Sequence, residues 1–330
     1  MNYVELPSSW RTRRQRVSFY LAMEEFVAGG GAGSLADTDY FFLWRVAPSV
    51  VFGRNQSAEA EVNIGYCRDH GIAMFRRKSG GGCIYADEGN VMLSMVTGIA
   101  APVSFVYHRY VMLVVEALRR AGIAAQVSGR NDVMVGGGKV QGNAFYRLRD
   151  SSIVHGTLLY DTNLDHMLNA ITPDADKLTS KGIESVRQRI TLLKDMTPLS
   201  LNELMDSIRQ TVTVATTVLT EADAEEIARL AELYESEDFV MGLSPKATLV
   251  RHRRIDGVGT VEARIEIKHG RIAAVDLNGD FFALQPLDAL TERLIGLPLA
   301  PEAIQDALPE DLSSMIHNLR REDLTDLLCS

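Results

Sequence analysis

Cysteine is scarce in this chain of 330 residues: Cys67, Cys83 and Cys329 lie far apart, with no C-x-x-C spacing. That leaves neither a disulfide framework nor a thiolate zinc site, and it suits a reducing compartment. The seven histidines are scattered and no H-E-x-x-H occurs, which argues against a transition-metal centre built by the protein alone. Positive charge is also short, 34 Lys and Arg against 43 Asp and Glu, for a net charge of −9. Non-specific nucleic-acid binding needs a basic face, so no nucleic-acid partner is expected. Long apolar runs are missing too. The longest uncharged stretch, 89–107, is interrupted by Asn90, Gly98 and Pro102, and the N-terminus carries no apolar signal core. No membrane span is expected, and a cytoplasmic monomer is the default.

What remains is an ordinary globular composition, 46% hydrophobic and 23% charged, in a chain longer than one core usually organises. Two domains are expected, 1–245 and 246–330, with a linker near 242–245 that lets the second move. Apolar spacing predicts helices over 17–28, 61–70, 105–120, 198–218 and 221–234. Strands are expected at 40–46, 49–52, 73–77, from Ile84, on both sides of a glycine hairpin within 129–145, and at 152–160. After the linker, 259–275 reads as two strands around His269-Gly270, followed by acidic helices.

Two patches carry chemistry. In the first, Arg76-Arg77-Lys78 leads into Ser79-Gly80-Gly81-Gly82, then Cys83-Ile84-Tyr85 and, after a turn, Asn90. Glycines let a ligand approach the main chain, freed N–H groups make an anion-binding concavity, and the basic side chains offer charge for phosphate. The alternative is a flexible surface loop. In the second patch, Asn131-Asp132 precedes the hairpin and Lys139 follows it. Lys139 points its ammonium at a carboxylate or phosphate, or is a solvated hairpin lysine. Asp132 holds a nucleotide-borne Mg²⁺, or caps an Asn-Asp turn. Cys83 is a thiol nucleophile or a small buried hydrophobe. His155, in an alternating strand, suits a structural hydrogen bond better than catalysis. Familiar phosphate signatures fail: Gly138-Lys139 is followed by Val140, so there is no Walker A, and the triple glycine lacks the dinucleotide fingerprint.

Taken in order, the motifs resemble the lipoate–protein ligase family. They are Glu24-Glu25; Val51-Phe52-Gly53-Arg54-Asn55-Gln56; Arg76-Arg77-Lys78-Ser79-Gly80-Gly81-Gly82; Asp87-Glu88-Gly89-Asn90; Gly129-Arg130-Asn131-Asp132; Lys139-Val140-Gln141-Gly142-Asn143; His155-Gly156-Thr157; and Lys181-Gly182-Ile183-Glu184-Ser185. Gly279-Asp280-Phe281-Phe282 is similar to part of the accessory domain of two-domain ligases.

The resemblance implies an α/β (α+β) fold: a mixed-sheet catalytic domain of the biotin/lipoate ligase type and a small α+β accessory domain. It implies activation of lipoate by ATP with Mg²⁺, then lipoyl transfer to a lysine of an acceptor such as an E2 subunit or the glycine-cleavage H protein. Residue by residue, it assigns Arg77, Gly80, Gly81, Gly82, Cys83, Ile84, Tyr85, Asn90, Asn131, Asp132 and Lys139 to ATP or adenylate. Gly81, Gly82, Lys139, His155 and Thr157 go to lipoate, Lys139 to catalysis and Asp132 to the metal. Two departures stand out: Ala86 where the family usually has His, and Cys83 where a small residue is common. A same-fold acyltransferase working from a thioester and a non-catalytic lipoate- or acceptor-binding homologue remain the alternatives.

Overall fold

The computed structural model describes residues 1–36, 38–98, 102–128, 132–148, 150–171, 190–242 and 247–329. The expected linker, apart from Gly242, and the Lys181 motif lie outside the described residues, as does Asn131.

An eight-stranded sheet organises the first part of the chain. Its strands are β1 (Asn2–Glu5), β2 (Tyr40–Trp44), β6 (Asn90–Thr97), β7 (Gln126–Ser128), β8 (Asp132–Val135), β9 (Gly138–Leu148), β10 (Ser151–Leu159) and β11 (Ala215–Val218). They lie in the order β11-β1-β2-β6-β10-β9-β8-β7, with β1 parallel to both neighbours and the other pairs antiparallel. A second sheet, β4-β3-β5, is built from β3 (Ser49–Phe52), β4 (Ala73–Arg76) and β5 (Ile84–Ala86).

Alternation along the strands assigns each residue a face. Phe41 and Leu43, Val91, Leu93 and Met95, and Val154 and Leu158 pack one way, against helices α2 (Val103–Arg120) and α3 (Leu201–Val212). Phe42, Trp44, Met92 and Val96 turn to the other face, where helix α1 (Val17–Ala28) and the small sheet cover them. His155 and Thr157 share that second face by the same two-residue period. The functional site is therefore enclosed between two layers of sheet and one helix.

Local chemistry explains the element ends. Helix α1 stops at Gly29 and Gly30, the latter at φ +90°, a conformation that disfavours a side chain. A Ser200–Glu203 capping box starts α3. β8 and β9 are joined by Gly136 (φ +59°) and Gly137 (φ +85°), the two positive-φ residues that a tight hairpin turn requires.

Residues 247–329 build a three-stranded sheet, β12 (Leu249–Ile255), β13 (Gly259–Lys268) and β14 (Arg271–Gly279), with its own apolar core against the C-terminal helices. This part touches the rest through the 279–282 turn, where Gly279 N–H donates to Asn55 O and Gly81 N–H to Phe281 O, and through Leu284, which packs against the core beneath helix α2.

Three expectations change. The predicted helix over 198–218 ends at Val212, and Ala215–Val218 is an edge strand paired with β1. Its Thr216, Thr217 and Val218 are β-branched, which suits a pleated edge and opposes helix. The helix expected over 61–70 is broken at Val62 and Asn63, where the Asn63 side chain caps a new helix, Ile64–Asp69. Strand β12 was not anticipated, because its run Arg251-His252-Arg253-Arg254 lacks strand-like alternation.

Candidate active site

A cavity of about 510 Å³ lies across the second face of the large sheet. Its apolar lining includes Leu21 of α1, Trp44 of β2, Met92 of β6, and Val51 and Ile84 of the small sheet. Its polar lining includes Thr157 of β10, Lys139 and Asn143 of β9, and Asp132 of β8. The strand order β2-β6-β10-β9 puts three inter-strand steps, about 14 Å, between Trp44 and the Lys139 strand. One end is thus suited to an aliphatic chain and the other to charge. Across the mouth stand Arg254, Asp256 and Gly259 of the β12–β13 turn, with Asp280 and Phe282.

The basic residues before the triple glycine are committed to protein partners. Arg76, 1% exposed, donates to the carbonyls of Arg54, Gln56, Phe239 and Val240. Arg77, 5% exposed, donates from Nε to Ser79 Oγ (2.9 Å), from Nη1 to Val51 O (3.0 Å), and from Nη2 to Gly80 O (2.8 Å) and Gly82 O (2.7 Å). Burial pulls both guanidiniums down to about 10, which leaves them cationic at neutral pH. Lys78 pairs with Glu25 at 2.6 Å. Sequence suggests that these side chains recognise phosphate, but the structure spends them on the protein itself. Arg77 gathers the loop carbonyls and curls the chain around its guanidinium.

Glycine is required in this loop for close approach. A Cβ on Gly53 would collide with the Gly81 carbonyl, and one on Gly80 with the Phe281 carbonyl. Gly81 adopts φ +88°.

Behind the loop runs a buried chain of hydrogen bonds. Trp44 Nε1 donates to Ser94 Oγ (2.9 Å), which donates to Glu24 Oε1 (2.6 Å). His155 lies with Nδ1 2.9 Å from Glu24 Oε1 and Nε2 2.7 Å from Ser79 Oγ. Glu24 is fully buried. Such a carboxylate is tolerable only because each neighbour donates to it. With Nδ1–H donating to Glu24, Nε2 is left to accept from the Ser79 hydroxyl. Glu24 belongs to the first of the family motifs, yet nothing in its local sequence indicates this role; its place in a helix of apolar spacing hid it.

At the polar end, Lys139 Nζ lies 2.8 Å from Asp132 Oδ1, both side chains about a third exposed. This cation and carboxylate stand on adjacent strands, available to a ligand. Among the described residues no group of three or more His, Cys, Asp or Glu gathers to hold a metal by itself.

Of the residues singled out from sequence, Arg77, Gly81, Gly82, Cys83, Ile84, Asp132, Lys139, His155 and Thr157 line the cavity together. Gly80, Tyr85 and Asn90 do not. Gly80 packs on the 281–282 backbone, Tyr85 joins the apolar cluster beneath the small sheet, and Asn90 is fully buried, its Nδ2 donating to Tyr85 O. Their contribution is to hold the wall, because β5 alternates its side chains and Tyr85 points away from the cavity that Ile84 lines. Leu21, Trp44, Val51 and Met92 were missed as site residues. Each reads as core in sequence, and only the strand order shows that the core opens there.

Residues 17–213 match the family "Lipoyl protein ligase A/B catalytic domain", and residues 244–328 match "Bacterial lipoate protein ligase C-terminus". The chain belongs to the lipoate–protein ligase family. It is 33% identical over 316 residues to lipoate–protein ligase 1 of Staphylococcus aureus, covering 93% of this chain and 95% of that protein. Among solved structures, P. falciparum LipL1 in complex with lipoate superposes with a TM-score of 0.78 at 19% identity, covering all of this chain and 98% of that one. A lipoate–protein ligase A bound with ATP gives 0.62 at 23% identity, covering 74% of this chain and 99% of that one. These two likenesses establish the fold.

For a lipoate–protein ligase, two substitutions in the loop now have a setting. Ala86 is fully buried in the core beside the site, where its small side chain is part of the packing. Cys83 stands in the cavity wall, and burial pushes its thiol well above its ordinary range, the opposite of what activates a nucleophilic thiolate. Among the described residues, no helix is long and apolar enough to cross a membrane.

Proposed function

We propose that this lipoate–protein ligase activates lipoate with ATP and transfers the lipoyl group to a lysine of an acceptor protein. The observation that carries the reading is the cavity itself, with an apolar end at Leu21, Trp44 and Met92 and the Lys139–Asp132 pair at the other. The aliphatic tail and dithiolane ring of lipoate fill the first end, which places the carboxylate by Lys139. A carboxylate oxygen attacks the α-phosphorus of ATP, the bond to the β-phosphate breaks, and its electron pair leaves on pyrophosphate. An acceptor lysine amine then attacks the acyl carbon, and AMP departs with the bonding electrons.

No side-chain nucleophile is needed; the demand is for positive charge where negative charge builds. The Lys139 ammonium and the main-chain N–H of Gly82 supply it, while the Gly81 N–H is held by the Phe281 carbonyl. Asp132 fits Mg²⁺, which characteristically takes one or two protein carboxylates and completes its shell with phosphate oxygens and water. There the ion would neutralise phosphate charge. Arg77 and His155 act behind this layer by holding the loop, and Thr157 offers a hydroxyl to the bound acyl group.

We assign adenylation chemistry to 1–245 and an accessory role to 246–330. The acceptors we propose are lipoyl domains of E2 subunits and the glycine-cleavage H protein, in a cytoplasmic setting. The test incubates the protein with lipoate, ATP, Mg²⁺ and a lipoyl domain, following pyrophosphate release and acceptor mass. A mass gain of one lipoyl group is expected. No adenylate from the wild type, or adenylate formed equally fast by Lys139→Ala, would falsify the reading.

A further inference from the structure

Three cations line the cavity among the described residues, and two are engaged. Arg77 is bonded to loop carbonyls and Lys139 is paired with Asp132. The third, Arg254, reaches the mouth from the opposite side, at the end of β12. Its side chain is 73% exposed, and its contacts are long: 3.5 Å to Thr260 Oγ1 and 3.9 Å to Asp280 Oδ2. It is therefore held loosely and can turn toward an incoming anion.

The rest of the mouth is firm. Gly257 (φ +83°) and Gly259 (φ +127°) shape the turn, Asn318 Nδ2 donates to the Gly257 carbonyl at 3.2 Å, and the Asp280 carboxylate accepts from Thr260 N–H. The turn thus presents a loosely held guanidinium on a well-bonded support. The lining acids Asp132, Asp256 and Asp280 formally balance Arg77, Lys139 and Arg254. A nucleoside triphosphate would bring several negative charges into a lining with no net positive charge. With Lys139 near the carboxylate and α-phosphate, and with Mg²⁺ at Asp132 offsetting only part of the polyphosphate charge, the outer phosphates still lack a cation from the protein.

We propose that Arg254 binds the β- and γ-phosphates of ATP and stabilises the pyrophosphate as it leaves, an inference that rests on the ligase reading above. The guanidinium fork matches phosphate oxygens in pairs, and it would act where charge develops as the bridging P–O bond breaks. Because Arg254 belongs to the accessory part, it ties that part to the catalytic sheet through the nucleotide. The tie exists while polyphosphate is bound and is lost when pyrophosphate leaves. Arg254 therefore serves the first half-reaction and not the second.

The experiment compares Arg254→Ala and Arg254→Lys with wild type and with Arg253→Ala, whose parent side chain points to Asp326 (3.3 Å) outside the cavity. Circular dichroism confirms folding. Adenylation is read as pyrophosphate release against ATP concentration; transfer is read separately, from purified lipoyl-adenylate to a lipoyl domain. Arg254→Ala should raise the ATP KM on the order of tenfold or more, the cost of a lost charge-assisted hydrogen bond. Arg254→Lys should recover part of that loss, while transfer stays within about twofold of wild type and Arg253→Ala matches wild type in both steps. An ATP KM unchanged in Arg254→Ala, or equal losses in both half-reactions, overturns the proposal. Wild-type protein that makes no adenylate overturns the ligase reading instead, a result independent of residue 254.

Discussion

His155 Nε2 lies 2.7 Å from Ser79 Oγ, so a strand in the large sheet holds the entrance of the glycine loop through one imidazole. The other nitrogen is anchored on buried Glu24. Replacing His155 by Ala should leave that carboxylate short of a donor and cost about 1.5–3 kcal/mol of stability, the usual range for a lost hydrogen bond to a buried charged group. Glu24→Gln, which removes the charge and keeps the shape, should cost less. Urea unfolding measures both; a loss in His155→Ala no greater than at a surface site would refute the anchoring role.

Lys139 is partly exposed and supports no core, so Lys139→Ala should melt like wild type. Its effect should fall on adenylation, with a rate on the order of 10²–10³-fold lower, as for loss of one preorganised donor to a developing anion. Single-turnover pyrophosphate release checks this directly.

Metal dependence should divide the reaction. Chelation with EDTA is expected to stop adenylation and to leave transfer from purified lipoyl-adenylate running, since Mg²⁺ is needed where polyphosphate charge is handled. Asp132→Asn should raise the Mg²⁺ concentration for half-maximal adenylation. Equal chelator sensitivity in both steps would contradict the assignment of Asp132.

The raised thiol of Cys83 gives an opposite expectation. Cys83→Ser should retain ATP-dependent activity within about twofold, and iodoacetamide should modify Cys83 more slowly than a free thiol at mildly alkaline pH. Activity without ATP that disappears in Cys83→Ser would instead reveal thioester chemistry.

Gly53 tests the loop from below. A methyl group there meets the Gly81 carbonyl, so Gly53→Ala must displace the loop or strain β3. A cost of about 1–3 kcal/mol is expected, with weaker ATP binding. Isothermal titration with ATP and a thermal melt separate the two effects.

Much of this site was visible as residue types in order. The triple glycine, Asp132 and Lys139 announce an anion site because few structural needs produce that combination. The use of each side chain was less visible. Arg76, Arg77 and Lys78 look alike in sequence, yet all three are committed to protein partners, and only the curl of the loop reveals those acceptors. The roles of Glu24 and Trp44 were hidden for a related reason: burial is a property of the assembled layers, and apolar spacing does not show where a core opens into a cavity. The edge strand at Ala215–Val218 depends on β1, more than two hundred residues away in the chain. No local window contains that pairing.

The contact between the glycine loop and residues 279–282 is made largely by main chain, with Gly80 seated on the Phe281 carbonyl and Gly81 N–H at 3.4 Å from the same oxygen. Parting such a joint uncovers mainly amides and carbonyls, which water immediately satisfies. Although it separates Asp276 from the charge of buried Arg76, that guanidinium keeps its carbonyl partners at Arg54, Gln56, Phe239 and Val240. Each side also keeps its own apolar core. We therefore expect the roof of the cavity to lift away as a folded body and admit an acceptor lysine while the loop beneath stays gathered around Arg77; identical scattering profiles with and without a stable adenylate analogue would count against that motion.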